Sequence, residues 1–207
     1  MCALQLPGRE NRLREAPYTR LLAAVHEAAE VLQPYLNLPF ALFGHSLGAV
    51  LCFELARLLR REHRITPVHL FVSGRRAPQF PDTRPLMTPL SNDLFAAEIC
   101  RRYNGIPREV LNDRELMTLL LPTLRADVAM LETYDYRPGQ LFDCPITAFG
   151  GRNDSETSLE ELAGWKEQTN VQFDTHIFPG DHFFLQSAAP EILEIIRRRL
   201  DPTPLGS

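Results

Sequence analysis

Pro39-Phe40-Ala41-Leu42-Phe43-Gly44-His45-Ser46-Leu47-Gly48-Ala49-Val50-Leu51 is the stretch that decides the fold. Residues 40–43 are uninterrupted apolar sequence, the pattern of a strand buried on both faces. After Leu47 the period changes. Val50, Leu51, Leu55, Leu58 and Leu59 share one face of a helix reaching about Arg61. Between the two lies Gly44-His45-Ser46-Leu47-Gly48, a match to G-x-S-x-G in the strand–turn–helix setting that this pattern requires. Glycine is expected at 44 and 48 because a side chain there would collide with neighbouring backbone. The turn exposes the Ser46 hydroxyl at the positive end of the following helix. It also makes the backbone N–H of Leu47 a donor for a developing oxyanion.

Working outward, the chain alternates between strand and helix signals. Upstream, residues 2–6 form a short apolar run closed by Pro7-Gly8, which predicts a buried strand and a turn. Leu21, Leu22, Val25, Ala28, Ala29 and Leu32 recur at helical spacing within 18–36. Downstream, 68–73 predicts a strand ending at Gly74, and the loop 74–90 is rich in proline and arginine. Helical stretches at about 91–103 and 112–134 follow with no strand of their own. Strand signals resume at 145–150. A helix with Leu159, Leu162 and Trp165, a strand at 171–178 and a last helix at about 188–200 complete the chain. The alternation predicts one α/β domain over 1–207, with a mostly parallel sheet, helices on both faces and a helical insertion at about 75–140.

Composition narrows the function. With 207 residues, 44% hydrophobic and 23% charged, the chain has the make-up of a globular domain with a sizeable core. A net charge of −4 leaves no basic excess to neutralise nucleic-acid phosphates. No apolar run approaches the length of a membrane span, and residues 1–7 do not read as a signal peptide. Cys2, Cys52, Cys100 and Cys144 are scattered, which predicts reduced thiols in a cytoplasmic protein and no metal or cofactor site. The last four residues, 204–207, read as a tail.

A serine hydroxyl needs a base before it can attack a carbonyl. Hydrolases built on this elbow place Ser, then Asp or Glu, then His along the chain. Of six histidines, His26 and His63 sit on helices, and His69 and His176 lie within strands. His182 follows the last strand in Pro179-Gly180-Asp181-His182-Phe183-Phe184, at the sheet edge where catalytic groups gather. It is the expected base. Asp154, past the strand 145–150, is the expected orienting acid, with Glu156 as runner-up and Asp127 and Asp135 as weaker choices. The fold expected from this set is the α/β-hydrolase. His45 and Phe183, beside the nucleophile and the base, are the expected substrate contacts.

Several segments resemble type II thioesterases. Leu6-Pro7-Gly8-Arg9-Glu10-Asn11-Arg12-Leu13 is similar to the LPGRExR segment, and 43–49 and 53–56 are similar to the family's elbow and its helix. Leu121-Pro122-Thr123-Leu124-Arg125-Ala126-Asp127 resembles the lid's LPxLRAD stretch. Glu132-Thr133-Tyr134 and Gly180-Asp181-His182-Phe183-Phe184 also match. The resemblance implies an editing enzyme that clears unwanted acyl groups from the phosphopantetheine arm of acyl or peptidyl carrier proteins on polyketide and nonribosomal peptide synthetases. It assigns Ser46, Asp154 and His182 the triad. Family members carry a further N-terminal strand and a glycine-rich loop similar to FPxAGG, and by this resemblance the residues from Met1 on are expected to begin after them. That loop would supply a second oxyanion N–H, and loss of one donor costs about 10²–10³ in rate. An intact triad with reduced activity is therefore expected.

The insertion is expected to act as a lid, with Leu94, Phe95, Ile99, Leu119, Leu120, Met130 and Leu131 either lining an acyl tunnel or, for most of them, packing the lid's helices together. Arg75, Arg76, Arg101, Arg102 and Arg108 could meet an acidic carrier, although a solvated charged face is the plainer reading. A monomer is expected. A carboxylester hydrolase with the same triad, and a non-catalytic binding module that kept the elbow, are the alternatives.

Overall fold

The computed structural model describes residues 2–103 and 113–201. Four strands, β1 (Ala41–His45), β2 (His69–Ser73), β3 (Ile146–Gly151) and β4 (Phe173–Phe178), form one sheet in the order β1-β2-β3-β4. Every pairing is parallel, with Ala41 opposite His69, Leu70 opposite Ile146 and Ile146 opposite Phe173. All C-terminal strand ends therefore share one rim. β2 and β3 are buried at every residue, which explains their mostly apolar sequence, and the buried His69 and Thr147 hydrogen-bond each other.

The helices are α1 (Leu21–Leu32), α2 (Leu47–Leu58, continued by a π turn at Leu59–His63), α3 (Asn92–Tyr103), α4 (Arg114–Glu132), α5 (Leu159–Ala163) and α6 (Leu185–Leu200). Alternate strand residues face opposite ways. Leu70, Val72, Ile146 and Ala148 meet Ala49, Phe53 and Ala56 of α2, together with Leu162 and Trp165. Phe71, Phe149 and Phe178 meet Phe184, Ala188 and Ile192 beside α6. Each large side chain buried this way contributes about 1.5–3 kcal/mol. Helices thus cover both faces, as the alternation predicts. α1 packs its Leu21, Ala24, Val25 and Ala28 on Val50, Leu55 and Leu58 of α2.

The expected strand at 2–6 does not form. Residues 2–4 are exposed and hydrogen bonding is local, with Arg12 donating to the carbonyl of Gln5. A strand needs a ladder partner, and among the described residues β1 pairs only with β2. Pro7-Gly8 does turn, with Gly8 at φ +84°. The segment instead docks on the insertion, where Arg9 meets Asp127 at 2.7 Å.

α3 and α4 form the insertion between β2 and β3. Glu132 accepts from the backbone N–H groups of Met87 and Thr88, and Arg125 lies 4.4 Å over the Phe95 ring. Phe95, Ile99 and Met130 are buried against neighbours, whereas Leu94, Leu119 and Leu120 face outward. Of the seven considered for a tunnel, packing takes the first three and partly Leu131, and three face solvent. Among the described residues, no helix is long and apolar enough to cross a membrane.

Candidate active site

Ser46 joins the end of β1 to the start of α2 with φ +53° and ψ −115°, a conformation that strains any residue with a side chain. Its N–H donates to the carbonyl of Ser73 at 2.8 Å, which pins the turn to β2. Gly44 has a direct steric reason: a Cβ there would lie 2.0 Å from the carbonyl oxygen of Gly48. Gly48 does not share it. A Cβ at 48 would meet nothing within 4 Å, so the expected collision there is corrected. The helix approaches β1 through its backbone, and that approach constrains only the strand residue. Leu47 begins α2, and its N–H is among the terminal donors with no carbonyl one turn earlier.

Asp154 and His182 meet where the loops after β3 and β4 interlock. The N–H groups of Arg152 and Asn153 donate to the carbonyls of Phe178 and Gly180, at 2.8 and 2.9 Å. A Cβ at Gly151 would lie 2.2 Å from the carbonyl oxygen of Asp181, so glycine is what lets these loops close. His182 Nδ1 sits 2.9 Å from Asp154 Oδ2, and both side chains are buried. Asp154 Oδ1 accepts from the Glu156 N–H at 2.8 Å. The carboxylate is thus held on both oxygens, and it fixes the ring with Nδ1–H toward the acid and Nε2 free to accept a proton. Glu156, the runner-up, is engaged by Arg84. Asp127 is engaged by Arg9, and Asp135 lies in solvent.

His45 packs against His182, with ring centroids 4.9 Å apart, and its Nδ1 lies 2.9 Å from Ser73 Oγ. Burial, reinforced by the neighbouring His182, holds its pKa down at about 4, so the ring is neutral at pH 7. Phe183 stands edge-on to His182 at 5.4 Å. Two contacts escaped the sequence reading. Tyr103 packs edge-on against His182 at 5.1 Å, and a Cβ at Gly74 would meet the His45 ring at 2.5 Å. A glycine directly after a strand, on the rim that carries Ser46 and His182, is a signal that could have been read for the second. Tyr103, at the end of an insertion helix, carries no such signal. Of the arginines weighed for a partner, Arg76 and Arg102 are buried, Arg101 is paired with Glu98 on its own helix, and Arg108 lies outside the described residues.

A family model described as a thioesterase domain matches residues 1–200. The gramicidin S biosynthesis protein GrsT of Aneurinibacillus migulanus is 47% identical over 200 residues, 97% of this chain and 78% of that protein. The solved type II thioesterase BorB from the borrelidin biosynthetic cluster superposes with a TM-score of 0.86 at 38% identity, over 96% of this chain and 80% of its own. YbtT, a type II thioesterase from the yersiniabactin NRPS/PKS pathway, gives 0.84 at 28% identity over 95% of this chain and 80% of its own.

Proposed function

The chain belongs to the thioesterase domain family and is a thioester hydrolase, and from that premise we propose that it hydrolyses acyl groups from the phosphopantetheine arm of acyl or peptidyl carrier proteins, with Ser46 as nucleophile, His182 as base and Asp154 as orienting acid. The observation that carries the reading is the buried 2.9 Å contact between Asp154 and His182 on the same rim as the strained Ser46 turn. The relatives from gramicidin S, borrelidin and yersiniabactin biosynthesis support the carrier-bound substrate.

In this mechanism His182 Nε2 takes the proton as Ser46 Oγ attacks the thioester carbonyl carbon. The oxyanion gathers the Leu47 N–H. Collapse breaks the C–S bond, and the imidazolium returns its proton to the departing thiolate. A water then loses a proton to His182 and attacks the acyl-serine, releasing the acid and restoring the serine hydroxyl. Asp154 stays ionised throughout and stabilises the imidazolium. The reading places a monomer in the cytoplasm with the synthetases it serves. His45 and Phe183 border the base and would contact the acyl end of the substrate.

The test compares kcat/KM on acyl-loaded carrier protein, on the same acyl group as a free thioester and on its oxygen ester. Preference for the carrier-bound thioester supports the reading. A preference for the oxygen ester would assign the same triad to a carboxylester hydrolase.

A further inference from the structure

Ser73 ends β2 after Leu70-Phe71-Val72, and its side chain is fully buried. A hydroxyl withdrawn from water at a core position costs free energy unless it is bonded, and an alanine would fill the place without that cost. The Ser73 hydroxyl has one side-chain partner among the described residues, His45 Nδ1 at 2.9 Å. A proton lies between the two atoms in either tautomer of the ring. The Ser73 carbonyl also accepts the Ser46 N–H at 2.8 Å. Residue 73 therefore holds two consecutive residues of the elbow, one through its backbone and one through its side chain.

The register explains the reach. His45 and Ser73 stand opposite one another on neighbouring strands, so their side chains leave the sheet on the same face. The His45 ring then has little room to turn. A Cβ on Gly74 would lie 2.5 Å from its Cε1, so the ring rests against backbone there. Gly74 is itself pinned to β3, its N–H donating to the Phe149 carbonyl at 2.9 Å. The His182 ring lies 4.9 Å away, tilted by 48°. His182 needs such a wall. Its contact with Asp154 fixes Nδ1, but a ring held at one atom can still swing about that bond. Where Nε2 points depends on what touches the rest of the ring. Phe183 comes from the same turn, and Tyr103 comes from the insertion. His45 comes from the elbow itself, one residue before Ser46. It is also uncharged at pH 7, so a proton arriving on His182 meets a neutral neighbour rather than a second cation.

We propose that Ser73 is a positioning residue for His182: its hydroxyl fixes the His45 ring, and that ring sets where His182 Nε2 stands relative to Ser46 Oγ. The proposal rests on the triad reading above and adds to it a buried residue that touches neither substrate nor the reacting atoms. It also gives His45 a task beside its border with the acyl group. A small error in the angle of the imidazole lengthens the path of the serine proton, so a hydroxyl two contacts away from the reaction acts on its rate.

The test is a double-mutant cycle of Ser73→Ala and His45→Phe, the second keeping a ring but no ring nitrogen, followed with an acyl N-acetylcysteamine thioester. Each single variant should lower kcat by about tenfold, the scale of one lost hydrogen bond that aligns reacting groups, and leave KM within about twofold. Because Ser73 acts through His45, the double variant should be no slower than the slower single one. The low-field proton NMR resonance of the His182 Nδ1–H should shift or broaden in Ser73→Ala, a change that lost stability alone does not produce. Ser73→Cys, with a polar group of similar size, should recover part of the rate. Urea unfolding identifies the folded variants. A folded Ser73→Ala with kcat within about twofold of the wild type, an unmoved resonance, or losses that multiply in the double variant would overturn the proposal. If Ser73→Ala does not fold, His45→Phe decides alone, and a kcat within about twofold of the wild type overturns the proposal. His182→Ala separates the two readings. Full turnover there overturns the triad and this proposal together, whereas an inactive His182→Ala beside an unaffected Ser73→Ala overturns the positioning role alone.

Discussion

Replacing Asp154 with asparagine changes few atoms but should change the tautomer of His182. The carboxylate accepts two hydrogen bonds, from the ring at 2.9 Å and from the Glu156 N–H at 2.8 Å. An amide can keep the second through its oxygen. It must then present its NH₂ group to Nδ1, which becomes an acceptor. The proton moves to Nε2, the nitrogen that must take the serine proton, and general-base catalysis is lost. Wrong-tautomer variants of this kind lose about 10⁴ in kcat, equivalent to about 5 kcal/mol of barrier at roughly 1.4 kcal/mol per decade. Because both buried partners keep a hydrogen bond, unfolding free energy should drop by only about 1 kcal/mol. Release of thiol from an acyl thioester, followed with a thiol-reactive dye, reads kcat, and urea unfolding reads stability. A folded Asp154→Asn protein with kcat within tenfold of the wild type would refute the assigned role.

Other perturbations follow from the same geometry. Gly44→Ala places a methyl 2.0 Å from the Gly48 carbonyl oxygen and should abolish activity and lower the unfolding free energy by several kcal/mol, whereas Gly48→Ala meets open space and should leave the melting temperature equal or higher. Ser46→Gly should eliminate turnover yet raise stability by about 1 kcal/mol, because glycine adopts the positive φ at no steric cost; a fall in Tm would contradict strain at the elbow. His45 has a folded-state pKa of about 4, below its unfolded value of about 6.5, so the unfolded chain binds the extra proton between these values. Its contribution, up to about 3 kcal/mol, is complete above pH 6.5 and is lost as pH falls toward 4. His45→Asn should flatten the stability–pH curve across that window in chemical denaturation.

The sheet and the contact between Asp154 and His182 were legible because their signals are local. The runs at 40–43 and 146–149 read as buried strands, which holds for β3 while β1, at the sheet edge, leaves Phe43 exposed, and Asp154 and His182 each follow a strand in the required order. The run at 2–6 carried the same apolar signal yet forms no strand, because a ladder depends on a partner far away in sequence. Asp154 and Glu156 sit in one short loop and differ only in their distant partners, His182 for one and Arg84 for the other. Arg76 and Arg102 read as surface charge but are buried against acids, one four residues away, one six residues away in the same loop and one on a separate segment. Gly48 fits the motif, although the steric demand falls on Gly44 alone.

The proposal that Ser46 carries the acyl group through the reaction is tested most directly by trapping that group. The protein would be mixed with an excess of acyl thioester, quenched in acid within milliseconds, and weighed intact before peptide mapping. The account predicts one added acyl mass, located on the peptide containing Ser46, and its disappearance in His182→Ala. Turnover with no acyl adduct in a quench fast enough to catch the first cycle, or an adduct on another residue, would contradict it.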